Sequence, residues 1–465
     1  MIERVAIAGG DPFTFRTRRT GNEIHGNAPQ DQRQWTGTEN RMRTMVWLKD
    51  DLRIEDSPCV IAAMSSVSRN SEDDVVFLRT DEGACSHVAS TRRRKDVEES
   101  AIADMRETLR LNRIDLLETG PGVDEIMRAC AEQNITEVHA NIQTSDDLGY
   151  RRDRNIAVQM RRAGIRYVEW NAVGIRRGQS TTPKPCVTSA RDVPCIRFTR
   201  VPDAIVRLRR YLERLPEANY RRDMWVPGPD AAASSRMSID LACGRISADR
   251  VLHEITAAAN RCDPRDHHVF TQFANRIHWR RGFVQMLEDG VQAFPWGPMR
   301  DVRAEDDVRM ARWLAGETGY PLVDAAMRDL ADGGWINFRL RQTVCSFAID
   351  LLDLDFHKVG VALGELFDDY CAGIHWCQIA LQSGMARGRG PRVLNPVKQA
   401  EELDPEGAYV RRLLPYLADV PLASISRPWL WTGHRGPEPI VDHMVAARAA
   451  RARYPASPKK PTTAQ

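Results

Sequence analysis

Apolar residues follow two different periods in the two halves of this chain. In the first half, short runs rich in aliphatic residues begin at Met45 and occupy residues 75–79, 114–118, 137–141 and 166–170. Stretches with helical periodicity separate these runs, at 57–67, 94–111, 123–133 and 150–163. Strands that alternate with helices predict a doubly wound α/β domain with a parallel sheet, in which a ligand would lie at the carboxyl ends of the strands.

The second half has helical periodicity to near residue 450, which predicts an all-α domain. The helical stretches are residues 201–215, 247–259, 267–288, 305–316 and 404–418, together with a pair of helices between Thr318 and Leu352. Tyr320-Pro321 opens the first helix of that pair, because proline fits the first turn, and Gly333-Gly334 separates the two helices. The second helix has one apolar stripe, made of Ile336, Leu340, Val344, Phe347 and Leu351.

Polar stretches without periodicity mark the remaining segments. They predict a disordered extension over residues 1–44, an α/β domain over 45–175, an interdomain linker over 176–200, a helical domain over 201–450 and a disordered tail over 451–465.

Composition excludes several classes of protein. The chain has 465 residues, 42% hydrophobic and 28% charged, which is ordinary for a globular protein. No apolar run is long enough for a membrane span or a signal peptide, so we expect a cytoplasmic protein. The formal charge of +3 is small, so binding to nucleic acid would need local basic patches. The ten cysteines contain no CxxC pair, so we expect reduced thiols and no metal site.

A hydroxyl-rich segment, Ser234 to Ser247, runs into a predicted helix. Ser235 and Ser238 are three residues apart, so both hydroxyls could reach one phosphate at the helix start. An ordinary helix cap gives the same pattern, so the residues alone leave both interpretations open.

The predicted helix from Phe270 to Asp289 places Arg276, Trp279 and Arg280 on one side. A tryptophan beside arginines can stack a nucleobase while the guanidinium groups bind phosphate, although a packed tryptophan on an amphipathic helix looks similar. A second basic segment, Met385 to Arg392, contains Arg387, Arg389 and Arg392 and is interpreted either as a phosphate-binding loop or as a solvated loop.

Asn337 and Arg341 are four residues apart on the second helix of the pair, close to its buried stripe. A charged side chain near a buried surface needs an oppositely charged partner, since an unpaired buried charge costs several kcal/mol. Asp368 and Asp369 are the candidates for that partner.

Several motifs resemble the photolyase/cryptochrome family of flavoproteins. TGYPLVDAAM, GWINFRLR, LNPVKQ and DPEGAYVRRLLPYLADVP occur in the order and spacing of the family. GIHWCQ and NPVKQ resemble most closely its short bacterial photolyase-like branch. The resemblance implies an amino-terminal antenna domain, a helical FAD-binding domain and FAD as cofactor. A second, antenna chromophore is left open, and no GxGxxG is present.

The resemblance also implies roles for particular residues. It places the flavin against Tyr220, Ser234, Ser235, Arg236, Met237, Ser238, Arg276, Arg280, Asn337, Arg341, Asp368 and Asp369. A glutamate that is important for repair falls near Asn275 or Arg276, and Phe356 and Cys377 occupy two places of the usual tryptophan chain. Trp376, Trp335 and Trp313 are the candidates for another electron route.

These observations predict light-driven repair of pyrimidine dimers in damaged duplex or single-stranded DNA. The lesion would flip out beside Trp279, and Arg387, Arg389 and Arg392 would contact the DNA. The catalytic residues would be Trp279, Trp376 and Trp335. The alternative is a cryptochrome-like blue-light photoreceptor without repair, and a third possibility is a flavin-free scaffold that binds nucleic acid.

Overall fold

The fold is taken from a computed structural model of the protein. It describes residues 43–66, 75–172, 202–228, 234–290, 294–297, 303–384 and 393–453, with the isolated positions 174, 175, 177, 196 and 301. Residues 1–42 of the predicted extension, most of the predicted linker and residues 454–465 of the predicted tail fall outside these ranges, whereas residues 43–44 lie in a strand and residues 451–453 in a helix, where disorder was predicted. The predicted domain boundaries therefore stay predictions.

The amino-terminal part contains a five-stranded parallel sheet. Its strands are β1 (Arg43–Leu48), β2 (Val75–Thr80), β3 (Asp115–Thr119), β4 (Ile135–Asn141) and β5 (Arg166–Trp170). The order across the sheet is β3-β2-β1-β4-β5, so the direction of winding reverses between β1 and β4. The helices between the strands are α1 (Pro58–Ser66), α2 (Arg92–Leu111), α3 (Val123–Glu132) and α4 (Asp147–Arg162). The predicted doubly wound sheet is confirmed.

The remaining part is helical, as the sequence predicts. Its helices are α5 (Asp203–Arg214), α6 (Tyr220–Asp223), α7 (Ser238–Ala242), α8 (Ala248–Ala259), α9 (His267–Gly290), α10 (Ala304–Leu314), α11 (Pro321–Gly333), α12 (Phe338–Ser346), α13 (Phe356–Gly364), α14 (Ala372–Gln382), α15 (Pro396–Leu403), α16 (Ala408–Leu413) and α17 (His443–Arg453). A π-helical turn, Phe347–Leu351, continues α12. None of the described helices combines the length and the apolar content needed to cross a bilayer.

Buried apolar residues form separate cores in the two parts. One core lies on each face of the sheet, around Val46 and Phe77 on one side and around Trp47 and Ile126 on the other. The largest core lies in the helical part and includes the whole apolar stripe predicted for α12.

One predicted helix is wrong in its extent. Residues 404–418 do not form a continuous helix; α15 lies just before this stretch, and only the short α16 and a 3-10 turn lie within it. Asn395 caps α15 by accepting hydrogen bonds from the amides of Val397 and Lys398. Gly407 adopts φ 66° at the start of α16, and Pro415 prevents that helix from continuing.

Polar contacts join the sheet part to the helical part near the carboxyl ends of the strands. Arg177 forms an ion pair with Glu288 at 2.6 Å, and Thr144 donates a hydrogen bond to the same carboxylate at 2.9 Å. On the other side, Thr91 and Arg93 at the start of α2 bind Asp368. These contacts place the sheet beside α9 and beside the loop before α14, which both border the main cavity.

Candidate flavin site

The helical part encloses a cavity of about 310 Å³. Its wall is formed by α9, α12 and α14, by the segment before α7, and by the loop between α13 and α14. Of the twelve residues predicted to contact a flavin, eleven line this cavity: Tyr220, Ser234, Ser235, Arg236, Met237, Ser238, Arg276, Arg280, Asn337, Arg341 and Asp369. These residues are up to 149 positions apart in the sequence, so the fold brings them together.

The hydroxyl-rich segment forms one end of the cavity. Ser235 Oγ accepts a hydrogen bond from the Met237 amide at 3.3 Å, and Ser238 Oγ accepts one from Trp335 Nε1 at 3.2 Å. The Arg236 guanidinium lies 3.9 Å from the centre of the Trp335 ring. The helix that follows, α7, has five residues, so the hydroxyls and Arg236 rather than a long helix dipole provide the attraction for anions.

The cavity also contains a buried ion pair, which lies beside Arg236 and Ser238 of this segment. Arg341 Nη2 donates to Asp369 Oδ2 at 2.8 Å, and the exposed fractions of the two side chains are 26% and 3%. Burial by itself raises the pKa of Asp369, but the Arg341 guanidinium, together with smaller effects of Ser238 and Arg280, outweighs burial and holds this pKa below its ordinary value. Asp369 Oδ1 is buried and has no hydrogen-bond partner within the described part of the chain, so the carboxylate can accept one more donor.

Asp368 has a different location from the one predicted. It is absent from the cavity wall and accepts hydrogen bonds from Thr91 Oγ1 at 2.6 Å and from Arg93 Nε at 3.0 Å. The structure therefore assigns Asp369 as the partner of Arg341 and assigns Asp368 to the contact between the two parts of the protein.

His375 was missed by the sequence prediction, although it lies within the GIHWCQ motif. It lines the cavity, and its Nε2 lies 2.7 Å from the Gly360 carbonyl oxygen. A carbonyl only accepts, so Nε2 carries the proton and Nδ1 of the neutral ring is an acceptor. Burial lowers the pKa of His375 to about 4, so the ring stays neutral at physiological pH. A histidine in an apolar helix gives no sequence signal that separates this role from ordinary packing.

Arg276 and Arg280 enter the cavity from α9. Arg280 Nη2 donates to the Leu241 carbonyl at 3.0 Å, which fixes its guanidinium beside the hydroxyl-rich segment. Burial raises the pKa of Tyr220, and Arg276, which lies beside the phenol, partly offsets this effect. Asn337 caps α12 and donates to the carbonyls of Trp225 and Val226, both at 3.1 Å.

The three tryptophans predicted to be catalytic occupy three different environments. Trp335 lies in the cavity wall. Trp376 is fully buried behind the wall, and its Nε1 donates to the hydroxyl of the wall residue Tyr370 at 3.0 Å. Trp279 is 54% exposed and is not part of the wall, so its predicted place beside a flipped lesion stays a prediction. Arg387, Arg389 and Arg392 lie outside the described residues.

The donor set of the cavity fits FAD. Hydroxyls and guanidinium groups in the wall suit a pyrophosphate, and the apolar wall residues, which include Ile277, Leu363 and Phe367, suit a planar ring. The unfilled acceptor on Asp369 and the acceptor Nδ1 of His375 suit the N–H groups of a flavin. The described residues contain no group of His, Cys, Asp or Glu side chains that could hold a metal ion.

Two family models match the chain. The model described as DNA photolyase matches residues 44–181, and the model described as the FAD binding domain of DNA photolyase matches residues 267–456. The hydroxyl-rich segment and Tyr220 lie between these two matches, so their place at the cavity comes from the structure.

Curated relatives include proteins named photo-lyase and proteins named cryptochrome. The deoxyribodipyrimidine photo-lyase of Escherichia coli is 25% identical over 89% of this chain and 99% of its own length. The cryptochrome DASH of Gloeobacter violaceus is 32% identical over 48% of each chain.

Solved structures share the fold at lower identity. A cryptochrome from Synechocystis sp. has a TM-score of 0.71 at 21% identity, covering 88% of this chain and 99% of that one. A class III photolyase from Agrobacterium tumefaciens has a TM-score of 0.68 at 21% identity, covering 91% of this chain and 99% of that one.

Proposed function

Since the chain belongs to the photolyase/cryptochrome family of flavoproteins, we propose that it binds FAD and repairs pyrimidine dimers in DNA under light. The observation that carries this proposal is the cavity with an anion-binding end and a buried Arg341–Asp369 pair, within a chain that matches the family's FAD-binding domain. Bound FAD would supply the group that absorbs light and exchanges electrons.

The chain's own residues would hold and orient the cofactor. Ser234, Ser235, Ser238 and Arg236 would bind its phosphates, and Arg341, Asp369 and His375 would bind the polar edge of its ring. Asp369 keeps its charge because Arg341 lowers its pKa, whereas burial keeps His375 neutral. The charged Asp369 carboxylate and the neutral His375 ring would together favour one protonation state of the flavin ring that they contact.

An aromatic relay through Trp376 would connect the cavity wall to the surface. The rings of Trp376 and Trp296 are 5.4 Å apart, and the half-buried Trp296 stacks on His87 at 5.7 Å. Trp376 would give one electron to the light-excited cofactor, Trp296 would then reduce the oxidised Trp376, and an external thiol would reduce the oxidised Trp296. Each tryptophan is thus oxidised once and reduced once, and the thiol is the net electron donor. Trp335 and Trp313 make no ring contact with another aromatic residue in the described ranges, so we place neither in the relay.

The cavity wall also departs from the family pattern in a way that bears on repair. Asn275 is exposed, and Arg276 enters the wall near the place where the family has its glutamate. A guanidinium donates hydrogen bonds and accepts none, so it would bind the carbonyl oxygens of a flipped pyrimidine pair rather than its N–H groups. This departure favours the second candidate, a blue-light photoreceptor that binds the flavin without repairing DNA.

One experiment separates these candidates. The purified, chemically reduced protein is illuminated with dimer-containing oligonucleotides, and restored thymines are measured by chromatography. Restoration that requires both light and reduced flavin supports repair. Flavin that is bound and photoreduced without restoration of thymines would favour the photoreceptor, and folded protein that cannot be loaded with FAD would overturn both candidate functions.

The chromophore content of the same preparation, after denaturation, tests for an antenna pigment in the amino-terminal part.

A further inference from the structure

Four side chains form a continuous series of hydrogen bonds from the buried tryptophan of the relay to the sheet part. Trp376 Nε1 donates to the Tyr370 hydroxyl at 3.0 Å, and the Tyr370 hydroxyl is hydrogen-bonded to Ser86. Ser86 Oγ in turn donates to Asp146 Oδ2 at 2.7 Å. These four residues, Trp376, Tyr370, Ser86 and Asp146, are called the hydrogen-bonded series below.

The direction of each hydrogen bond in the series follows from the hydrogens available. Ser86 has one hydroxyl hydrogen, which it donates to the Asp146 carboxylate. The Tyr370 hydroxyl therefore donates to Ser86, and it accepts from Trp376, because an indole N–H can only donate. Every hydrogen bond thus points from Trp376 towards Asp146.

The two ends of the series are shielded from solvent, since Trp376 and Asp146 are each 0% exposed. Tyr370 lies between them and lines the cavity of the candidate flavin site. Together with Ser86 and Asp146 it also lines a second cavity of about 70 Å³. Burial raises the pKa of Tyr370, and the Asp146 carboxylate adds to the rise, so the phenol carries its proton at physiological pH.

Asp146 has a fixed position at the far end of the series. Its Oδ1 caps α4 by accepting from the amides of Leu148 and Gly149. Its Oδ2 also accepts from the His87 amide at 2.7 Å. A carboxylate can take up a proton, whereas a hydroxyl group passes one on only by giving up its own. A proton that entered the series at Trp376 would therefore come to rest on Asp146.

Oxidation of Trp376 would create a charge that the surrounding rings do not compensate. Loss of one electron leaves the indole as a radical cation inside the largest apolar core. The rings that contact it belong to Phe294, Trp296, His357 and His375. Burial lowers the pKa of both histidines, so they are neutral. Because an uncompensated buried charge is costly, the oxidised ring should lose its N–H proton.

We propose that the hydrogen-bonded series conducts the proton that Trp376 loses on oxidation, and that Asp146 of the sheet part receives it. The inference rests on the proposed function, because it requires light-driven electron transfer from Trp376. It deepens that function by giving Tyr370, Ser86 and Asp146 a part in it.

The electron and the proton leave Trp376 by different routes. The electron passes to the light-excited cofactor. The Nε1–H bond of Trp376 breaks as an O–H bond forms on Tyr370. Tyr370 passes its own hydroxyl proton to Ser86, and Ser86 passes its own to Asp146. The products are a neutral tryptophanyl radical and a protonated carboxyl group, while Tyr370 and Ser86 are regenerated.

The neutral radical gives Trp296 more time to act. Return of the electron to a radical cation requires no proton, whereas return to the neutral radical requires one. Charge recombination is therefore slower once the proton has moved. When Trp296 reduces the radical, the indole nitrogen becomes a strong base and takes a proton back along the series, so that Asp146 is ionised again.

Laser-flash spectroscopy of the full chain loaded with oxidised FAD tests this proton path. The radical cation and the neutral radical of tryptophan have different absorption spectra, so the conversion of one into the other is observed directly. In the wild type we expect this conversion, and we expect it to be slower in D₂O than in H₂O. Tyr370→Phe keeps the ring, and Asp146→Asn keeps an oxygen that caps α4. Both variants should lose the conversion and recombine faster.

Infrared difference spectroscopy gives a second readout. Illumination of the wild type should produce the carbonyl band of a protonated carboxylic acid, and Asp146→Asn should lack it. Asp404→Asn is the matched control, because Asp404 is also buried and also accepts from two backbone amides, those of Tyr409 and Val410. This control should keep both the band and the conversion. Ser86→Ala should lose them, and Ser86→Thr should retain them because it keeps the hydroxyl.

Unchanged conversion in Tyr370→Phe or in Asp146→Asn would overturn the proton path and leave the relay intact. A wild-type radical cation that decays without forming the neutral radical would do the same. Absence of any tryptophan radical in the wild type would overturn the relay together with the path. Restoration of thymines by chemically reduced protein does not use the relay, so it tests the proposed repair separately from all of these outcomes.

Discussion

Asp368 and Asp369 are adjacent in sequence, but their carboxylates face different parts of the protein. Asp369 binds Arg341 at 2.8 Å in the cavity wall, whereas Asp368 binds Arg93 at 3.0 Å across the contact with the sheet part. One short loop thus joins the candidate cofactor site to the contact between the two parts. Replacing Arg341 and Arg93 separately therefore tests the cofactor site and the contact between the two parts one at a time.

Replacing Arg341 by alanine should release the flavin. The change leaves the buried Asp369 carboxylate without its cation, and breaking a buried ion pair costs about 3 to 5 kcal/mol. Because Arg341 is 26% exposed, we expect the lower end of that range. The measurements are the ratio of flavin to protein absorbance and the thermal midpoint.

Arg93→Ala is the control for this experiment, because it removes the partner of the neighbouring carboxylate outside the cavity. It should keep its flavin. Equal flavin content in the two variants would show that the Arg341–Asp369 pair does not hold the cofactor.

His375 should make the protein less stable in mild acid. Burial lowers its pKa from 6.5 to about 4, so between these values the unfolded chain binds a proton that the folded chain does not bind. Stability therefore falls as pH falls through this window, by at most about 3 kcal/mol for the shift cited.

His375→Gln keeps a donor for the Gly360 carbonyl and removes the titration, so it should flatten this pH dependence relative to the wild type. Urea unfolding of both proteins at pH 4.5 and pH 7 measures the difference. Parallel loss of stability in the two proteins would show that other groups cause it.

The two glycines between α11 and α12 should respond to alanine in opposite ways. Gly334 has φ 66°, and a Cβ added there would overlap the Asp368 carboxylate. Gly333 is helical, and its Cβ would meet nothing within 4 Å. Gly333→Ala should stabilise the protein by about 0.5 to 1 kcal/mol, and Gly334→Ala should destabilise it by more than that. Denaturant midpoints measure both, and two shifts of the same sign would contradict the geometry.

Trp376→Phe should slow the light-driven reduction of the flavin by an external thiol. The ring contact with Trp296 would weaken, and the hydrogen bond to Tyr370 would be lost. Transient absorption should show less tryptophanyl radical, while protein reduced chemically beforehand should repair dimers at the wild-type rate.

Trp313→Phe is the matched control for the relay, because Trp313 is also fully buried but makes no ring contact with another aromatic residue in the described ranges. The light-driven reduction of the flavin in this variant should proceed at the wild-type rate. If both variants reduce the flavin equally fast, the relay through Trp376 is wrong.

The sequence by itself determined the alternation of strands and helices, the apolar stripe of α12 and the presence of an arginine that needs an acidic partner. Each of these follows from local periodicity or from the cost of burying one charge, which depend on few neighbours. The tertiary structure decided between Asp368 and Asp369, turned Trp279 outward, placed His375 in the wall and brought Trp225 beside Arg276. These outcomes depend on how distant helices pack and on where a side chain points around its helix, and neither is specified by spacing along the chain.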